Sequence, residues 1–170
     1  DFAQRNGCEY LPLDDVFERA DVITLHTPYN ESTHHMIGQR EFERMKDGAI
    51  LINTARGALV EVKSLVRALS DGTIAAAGLD VLPEEPVIRE EAELLRSVFQ
   101  SEHDLETLLA DHVLLRLRNV YITPHSAFDT REAVQRILGT TIENIRAFAS
   151  GECKNAVCSP DQRQTQSATA

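Results

Sequence analysis

One stretch of the sequence, Ala49-Ile50-Leu51-Ile52-Asn53-Thr54-Ala55-Arg56-Gly57, carries the clearest structural information. It begins with a continuous apolar run, rich in isoleucine, instead of an alternating one, and such a run is typical of a strand buried on both faces of a parallel sheet. Polar residues and a glycine then indicate that the chain turns. The stretch therefore predicts a buried strand that delivers an arginine at its carboxyl end.

Three further apolar runs repeat this pattern, at residues 21–26, 75–81 and 120–123. Between the runs, helical periodicity predicts helices at 39–45 and 62–69, two acidic amphipathic helices within 89–115, and a helix from Thr130 to Phe148. Strands that alternate with helices favour an α/β fold, in which helices cover a parallel sheet in a doubly wound arrangement.

Polar side chains follow each of the predicted strands. The carboxyl ends of parallel strands lie at one edge of the sheet, and ligands of open α/β sheets bind in the crevice at that edge. The segments that would meet there are residues 26–28, 54–57, 80–86 and 124–125. They bring a cation, carboxylates and an imidazole to one crevice, which predicts an active site for a small anion.

Each candidate residue also has a structural interpretation. A lone arginine can be an ordinary surface residue, but Arg56 follows a buried strand, and a guanidinium can bind a carboxylate through two parallel hydrogen bonds. His125 can be purely structural. Beside a carboxylate its pKa would rise from the reference value of about 6.5, which suits acid/base chemistry near neutral pH. Glu85 lies in an acidic run that, taken alone, indicates a solvated surface.

Composition and charge restrict the classes of function. The 170 residues are 42% hydrophobic and 26% charged, as in ordinary folded proteins, and the net charge of −10 has the wrong sign for attracting nucleic acid or anionic membranes. Three cysteines without a CxxC pair, and adjacent His34 and His35 outside an HxxxH frame, favour neither a disulfide framework nor a metal site. No apolar stretch approaches the roughly 20 residues of a membrane span. We therefore expect a soluble, cytoplasmic protein.

Four ordered motifs resemble the NAD-dependent D-isomer-specific 2-hydroxyacid dehydrogenases. They are residues 20–28, residues 45–57, residues 77–81 with Glu85-Pro86, and residues 122–125. The match extends to about Val157, and residues 126–133 with the long segment between Pro86 and Asn119 are most similar to the D-lactate dehydrogenase branch. The resemblance implies a Rossmann-like parallel sheet flanked by helices, NAD as cofactor, and interconversion of a D-2-hydroxy acid, D-lactate-like, and its 2-keto acid.

The resemblance also implies roles for individual residues. Arg56 would bind the substrate carboxylate and polarise the carbonyl, Glu85 would hold the imidazole, and His125 would be the acid/base. The implied cofactor-binding residues are Thr27, Pro28, Thr33, Thr54, Ala55, Arg56, Asp80 and His125. The expected partners are a small 2-keto or 2-hydroxy acid and, in a homodimer, a second copy of the chain, with no nucleic acid, membrane or metal.

Parts of the family's pattern are missing from the sequence. It contains neither the GxGxxG turn that seats a pyrophosphate nor the acid that binds the ribose, and Asp1 is not expected to be that acid. We therefore expect the C-terminal portion of a longer enzyme. The predicted parts are the C-terminal part of an NAD-binding domain at 1–125, a crossover helix with the start of a substrate-domain segment at 126–157, and a mobile tail at 158–170.

Two other interpretations stay open. Some transcriptional corepressors resemble the same family, so a dinucleotide-sensing interaction module is a second hypothesis. The acidic segment from Glu90 to Glu106 would then contact a partner, although a solvated amphipathic pair of helices that covers the sheet edge is the favoured interpretation of that segment. An inactive remnant of an enzyme is the third hypothesis.

Overall fold

The structure is a computed structural model that describes residues 2–83 and 105–156. The chain divides into two compact units, Asp1–Ala127 and Phe128–Ala170. The first unit contains, in chain order, α1 (Phe2–Asn6), α2 (Leu13–Arg19), β1 (Val22–Leu25), α3 (Gln39–Arg44), β2 (Ala49–Asn53), a 3-10 turn (Gly57–Leu59), α4 (Val62–Asp71), β3 (Ile74–Leu79), α5 (Leu105–Leu114) and β4 (Val120–Ile122). The second unit contains α6 (Arg131–Ala149).

The predicted order of strands and helices is confirmed wherever the structure describes it, while α1 and α2 were not predicted. Three predictions concern residues outside the described ranges: Glu85, the segment from Glu90 to residue 104, and the tail at 158–170. Among the described residues, no helix combines the length and apolarity needed to cross a bilayer.

The four strands form one parallel sheet in the order β1-β2-β3-β4. Parallel crossovers are almost always right-handed, so a sheet wound in a single direction collects its crossover helices on one face. In agreement, α2 contacts α3, α3 contacts α4, and α4 contacts α5. The predicted α/β class is confirmed, but the described residues do not show the predicted doubly wound arrangement, because their winding runs in one direction.

The hydrophobic core lies between this row of helices and one face of the sheet. Each layer contributes fully buried side chains, among them Phe17, Leu51, Leu65, Ile74 and Leu114. The opposite face presents large apolar side chains to solvent, among them Val22, Ile50 and Tyr121. The strand register places these three on the same face, so the described part of the first unit covers its sheet from one side only.

Local signals set the helix ends that the sequence predicted. α4 is followed by Gly72 at φ +84°, the left-handed conformation that commonly ends a helix at glycine. At the start of α6 the Thr130 hydroxyl accepts a hydrogen bond from the Ala133 amide at 3.2 Å. α6 ends just before Gly151, which also has a positive φ of +81°. α4 thus ends at Asp71, two residues beyond the predicted end at 69, and α6 ends at Ala149, one residue beyond the predicted end at Phe148.

Candidate active site

A buried amide at the end of β2 shapes the turn that presents Arg56. Asn53 is 1% exposed; its Oδ1 accepts from the Ala55 amide at 3.0 Å and its Nδ2 donates to the Arg56 carbonyl at 2.9 Å. The Arg56 side chain is exposed, and its Nη1 donates to the Ala55 carbonyl at 2.6 Å. The buried side chain of Asn53 therefore restrains the backbone of this turn, and the guanidinium of Arg56 is exposed to solvent.

Gly57 allows a second loop to pack against this turn. A Cβ at this position would lie 2.2 Å from the Leu82 carbonyl carbon and 2.3 Å from the Pro83 nitrogen, distances that real Cβ contacts do not reach. The loop of residues 81–83, which follows β3, thus lies directly over the backbone of Gly57. Only glycine fits this approach, which brings the loops after β2 and β3 together.

Asp80 holds the loop that carries His125. The carboxylate is 3% exposed; its Oδ1 accepts from the Thr123 hydroxyl at 2.5 Å and the Ser126 amide at 2.9 Å, and its Oδ2 accepts from the Ala127 amide at 2.9 Å. Between these donors His125 adopts a positive φ of +52°, and its amide donates to the Thr123 carbonyl. Both oxygens of Asp80 are therefore used to fold the loop around His125.

Two effects act in opposite directions on the pKa of Asp80. Burial alone would raise the pKa of this carboxyl, but the hydrogen bonds from Thr123, Ala127 and Ser126, with a smaller contribution from the charge of His125, lower it below its ordinary value. The carboxylate is consequently ionised at neutral pH, which strengthens each of the hydrogen bonds it accepts.

Two neighbouring cavities open at the carboxyl edge of the sheet. The larger, about 490 Å³, is lined by His26, Thr27, Pro28, Tyr29, Ala55 and Arg56. The smaller, about 230 Å³, is lined by Tyr29, Arg56, Gly57, Ala58, Val81, Leu82, Pro83 and His125. The second cavity thus places a guanidinium and an imidazole on the walls of the same space.

The structure gathers part of the predicted set of site residues. Thr27, Pro28 and Ala55 line the larger cavity, His125 lines the smaller, and Arg56 lines both. Three other predicted cofactor contacts line neither cavity, namely Thr33, Thr54 and Asp80. The hydroxyl of Thr33 is used within its own loop, where it donates to the Pro28 carbonyl and accepts from the Asn30 amide.

Sequence reasoning gave no role to Asn53 or Tyr29. Asparagine readily makes local hydrogen bonds to backbone, so its position after an apolar run was a usable signal for the turn. Tyr29 carried no signal of its own, because its place on both cavities depends on how two loops meet.

The chemistry of the two cavities is complementary. Small or stiff residues, Thr27, Pro28 and Ala55, leave open space beside the cation of Arg56, which suits a ligand that carries negative charge. In the smaller cavity the guanidinium can bind a carboxylate while the imidazole of His125 exchanges a proton with a neighbouring oxygen. Within the described part of the chain, no cluster of three His, Cys, Asp or Glu side chains could hold a metal ion.

Comparisons with known proteins identify the family to which the chain belongs. Residues 1–127 match the family described as D-isomer specific 2-hydroxyacid dehydrogenase, NAD binding domain. A glyoxylate reductase of Korarchaeum cryptofilum is 40% identical over 152 residues, and an aromatic 2-oxoacid reductase of Clostridium sporogenes is 40% identical over 151 residues. The matches cover 89% and 86% of this chain but only 40% and 42% of those proteins.

A solved structure shows the same relationship. The crystal structure of D-lactate dehydrogenase from Aquifex aeolicus, complexed with NAD and lactic acid, superposes with a TM-score of 0.75 at 37% identity. The superposition covers 89% of this chain and 44% of that one. The chain thus spans about two fifths of the length of the relatives it matches. By its sequence and its fold, it belongs to the D-isomer specific 2-hydroxyacid dehydrogenases, and residues 1–127 match their NAD-binding domain.

Proposed function

We propose that this chain belongs to an NAD-dependent dehydrogenase and supplies residues that bind the cofactor and residues that transfer the proton. The enzyme would interconvert a D-2-hydroxy acid that resembles D-lactate and the corresponding 2-keto acid. The observation that carries the proposal is the joint presence of Arg56 and His125 on the cavity of about 230 Å³. A 2-keto acid carries a carboxylate and a carbonyl oxygen on adjacent carbons. A guanidinium and an imidazole sharing one small cavity match those two groups.

Arg56 binds and orients the acid. Its planar guanidinium takes the substrate carboxylate through two parallel hydrogen bonds, which fixes both the position and the plane of the substrate. The positive charge also draws electron density from the adjacent carbonyl, so C2 becomes more electrophilic. The buried amide of Asn53 supports this role, because it restrains the turn that precedes the guanidinium.

His125 moves the proton. In reduction the imidazolium donates its proton to the carbonyl oxygen as the C2–O π bond breaks, and in oxidation the neutral imidazole removes the hydroxyl proton. Glu85 is proposed to hold and charge the imidazole, a role that lies outside the described residues. Asp80 acts indirectly, because its hydrogen bonds fold the backbone of the loop that carries His125.

NAD is the proposed cofactor, held by Thr27, Pro28 and Ala55 at the larger cavity, and in its reduced form it supplies the hydride that C2 accepts. Contacts of Thr33, Thr54 and Asp80 with the cofactor remain predictions. So do the cytoplasmic location, the homodimer and the choice of a lactate-like substrate.

The test uses the protein expressed from its complete reading frame. Exchanging His125 for Ala is expected to lower kcat for 2-keto acid reduction by about 10²–10⁴-fold, the usual loss for a missing general acid/base. The matched control is His112→Asn, because His112 is an exposed residue of α5 that lines neither cavity. A His125→Ala variant with the turnover of the control would refute the proposed role.

The same preparation separates the enzyme from the two other hypotheses. An interaction module or an inactive remnant would bind NADH without consuming it, or would not bind it, whereas the enzyme oxidises NADH only when a 2-keto acid is present. Arg56→Lys gives an independent check, since losing the bidentate contact should raise the KM for the acid about 10- to 100-fold.

A further inference from the structure

Tyr29 lines the candidate site but has no role in the proposed function. Among the described residues, Tyr29 and Arg56 are the two that line both cavities. The larger cavity is lined by the predicted cofactor contacts Thr27, Pro28 and Ala55, and the smaller is lined by His125. A side chain on both walls lies where the cofactor and the acid would meet.

The ring of Tyr29 is held in place from its own loop. Its hydroxyl and Nδ1 of His34 lie 3.2 Å apart, within hydrogen-bond distance, and the two rings meet edge to face with centroids 5.9 Å apart. His34 in turn stacks on His35, with ring centroids 3.8 Å apart. The chain of three rings therefore restrains the direction in which Tyr29 points.

This stack is tied to the loop that carries Arg56. The His35 amide donates to the Ala58 carbonyl at 2.9 Å, two residues beyond Arg56. Burial lowers the pKa of His35, and the charge of His34 acts in the same direction against a weaker opposing effect of Glu61, which favours the neutral form of His35. Although it is restrained, Tyr29 keeps 51% of its surface exposed, so one side of the ring is available to a ligand.

The remaining walls of the smaller cavity indicate what that ligand group is. If Arg56 holds the carboxylate and His125 faces the carbonyl oxygen, the other walls are those that this chain offers to the substituent on C2 of the acid. Those walls are Tyr29, Val81, Leu82 and Pro83 beside the small residues Gly57 and Ala58. They are apolar apart from the phenol hydroxyl, which His34 already engages.

We propose that Tyr29 is a specificity-determining residue, whose ring contacts the C2 substituent of the 2-keto acid and favours apolar, including aromatic, substituents over hydrogen. This inference rests on the proposed function, since it takes Arg56 and His125 as the groups that orient the acid. The inference adds to that function a class of substrate, 2-keto acids with an apolar C2 substituent, and names Tyr29 as the residue that selects this class.

The test compares kcat/KM for phenylpyruvate and for glyoxylate in the protein expressed from its complete reading frame. Tyr29→Ala is expected to lower the ratio of the two values about tenfold or more, the scale on which apolar pockets discriminate. Tyr29→Phe retains the ring and loses only the contact with His34, so its ratio should stay within about twofold of wild type. Tyr10→Ala is the control, because Tyr10 is an exposed tyrosine that lines neither cavity.

A second measurement distinguishes the acid from the cofactor. The Kd for NADH, measured by isothermal titration without any acid, should change by a smaller factor in Tyr29→Ala than the ratio of the two kcat/KM values does. Melting by circular dichroism verifies folding, and Tyr29→Leu, which keeps an apolar wall, should fall between Ala and wild type.

The possible results test the role of Tyr29 separately from the proposed function. An active enzyme whose Tyr29→Ala variant keeps the wild-type ratio, or loses NADH affinity instead, overturns the inference and leaves the proposed function intact. A wild-type protein that reduces no 2-keto acid overturns both.

Discussion

Replacing Asp80 by Asn tests whether this carboxylate positions His125. The substitution preserves the shape of the side chain but removes its charge, and one acceptor oxygen becomes an NH2 group. In the native arrangement Oδ1 already serves Thr123 and Ser126, while Oδ2 serves the Ala127 amide. The new NH2 group would therefore face an N–H donor, and one hydrogen bond would be replaced by a repulsive contact.

The size of the effect follows from these contacts. A hydrogen bond to a charged group contributes about 1.5–3 kcal/mol, so we expect the free energy of unfolding at pH 7 to fall by about that amount. A misplacement of the order of 1 Å can cost about 10²-fold in rate, so a shifted loop should lower kcat by about 10- to 100-fold. The KM for the acid should change less, because Arg56 lies on a different loop.

A third expectation concerns how the stability difference between wild type and Asp80→Asn changes with pH, and in which direction. The pKa of Asp80 is lowered from the ordinary value of 3.8. A carboxyl group with a depressed pKa in the folded state stabilises the fold above its unfolded pKa, and loses that contribution as pH falls through its folded pKa. The stability difference between wild type and Asp80→Asn should therefore be constant near neutral pH and shrink only below about pH 4.

Urea unfolding at several pH values and steady-state kinetics at pH 7 measure these quantities. Asp47→Asn is the matched control, since it removes an exposed carboxylate that lines neither cavity. If Asp80→Asn had the stability and kcat of that control, the carboxylate would not hold the His125 loop. A stability difference that grew as the pH fell would equally contradict the argument.

Three further substitutions test the scaffold of the site. Gly57→Ala should destabilise the protein by about 1–3 kcal/mol or more and lower kcat/KM at least tenfold, seen in melting and kinetics, because its Cβ would meet the Leu82 backbone at 2.2 Å. Asn53→Leu should raise the KM for the acid and cost about 1–3 kcal/mol in urea unfolding, since the turn loses its two amide contacts. Leu65→Ala should cost about 2–5 kcal/mol in urea unfolding while KM is retained, because Leu65 is buried in the core away from both cavities.

The strands and long helices were predictable because burial leaves a clear pattern in the sequence. β2 reads as an unbroken apolar run, and α4 repeats Val62, Leu65 and Leu69 on one face. The helix α2 left no comparable pattern. Its apolar residues at helical spacing are only Leu13, Val16 and Phe17, a pattern too short to predict a helix, and Phe17 alone of the three is buried.

The site was predictable to the extent that it follows from topology. Parallel strands bring their carboxyl ends to one edge, so Arg56 and His125 were expected to meet, and they line one cavity. The role of Asp80 could not be inferred in this way. Its partners Thr123, Ser126 and Ala127 lie 43 to 47 residues further along the chain, and only the folded loop shows that they use both of its oxygens.

Both cavities depend on contacts between loops at the carboxyl edge of the sheet. In open α/β folds the binding crevice forms where the strand order reverses, but the order β1-β2-β3-β4 contains no reversal among the described strands. The two cavities lie where loops pack on the turn after β2. His35 bonds to Ala58 on one side of that turn, and residues 81–83 cover Gly57 on the other. Because both cavities share this turn, a change at residues 53–58 should disturb cofactor and acid binding together, whereas a change at Asp80 should act first on the loop that carries His125.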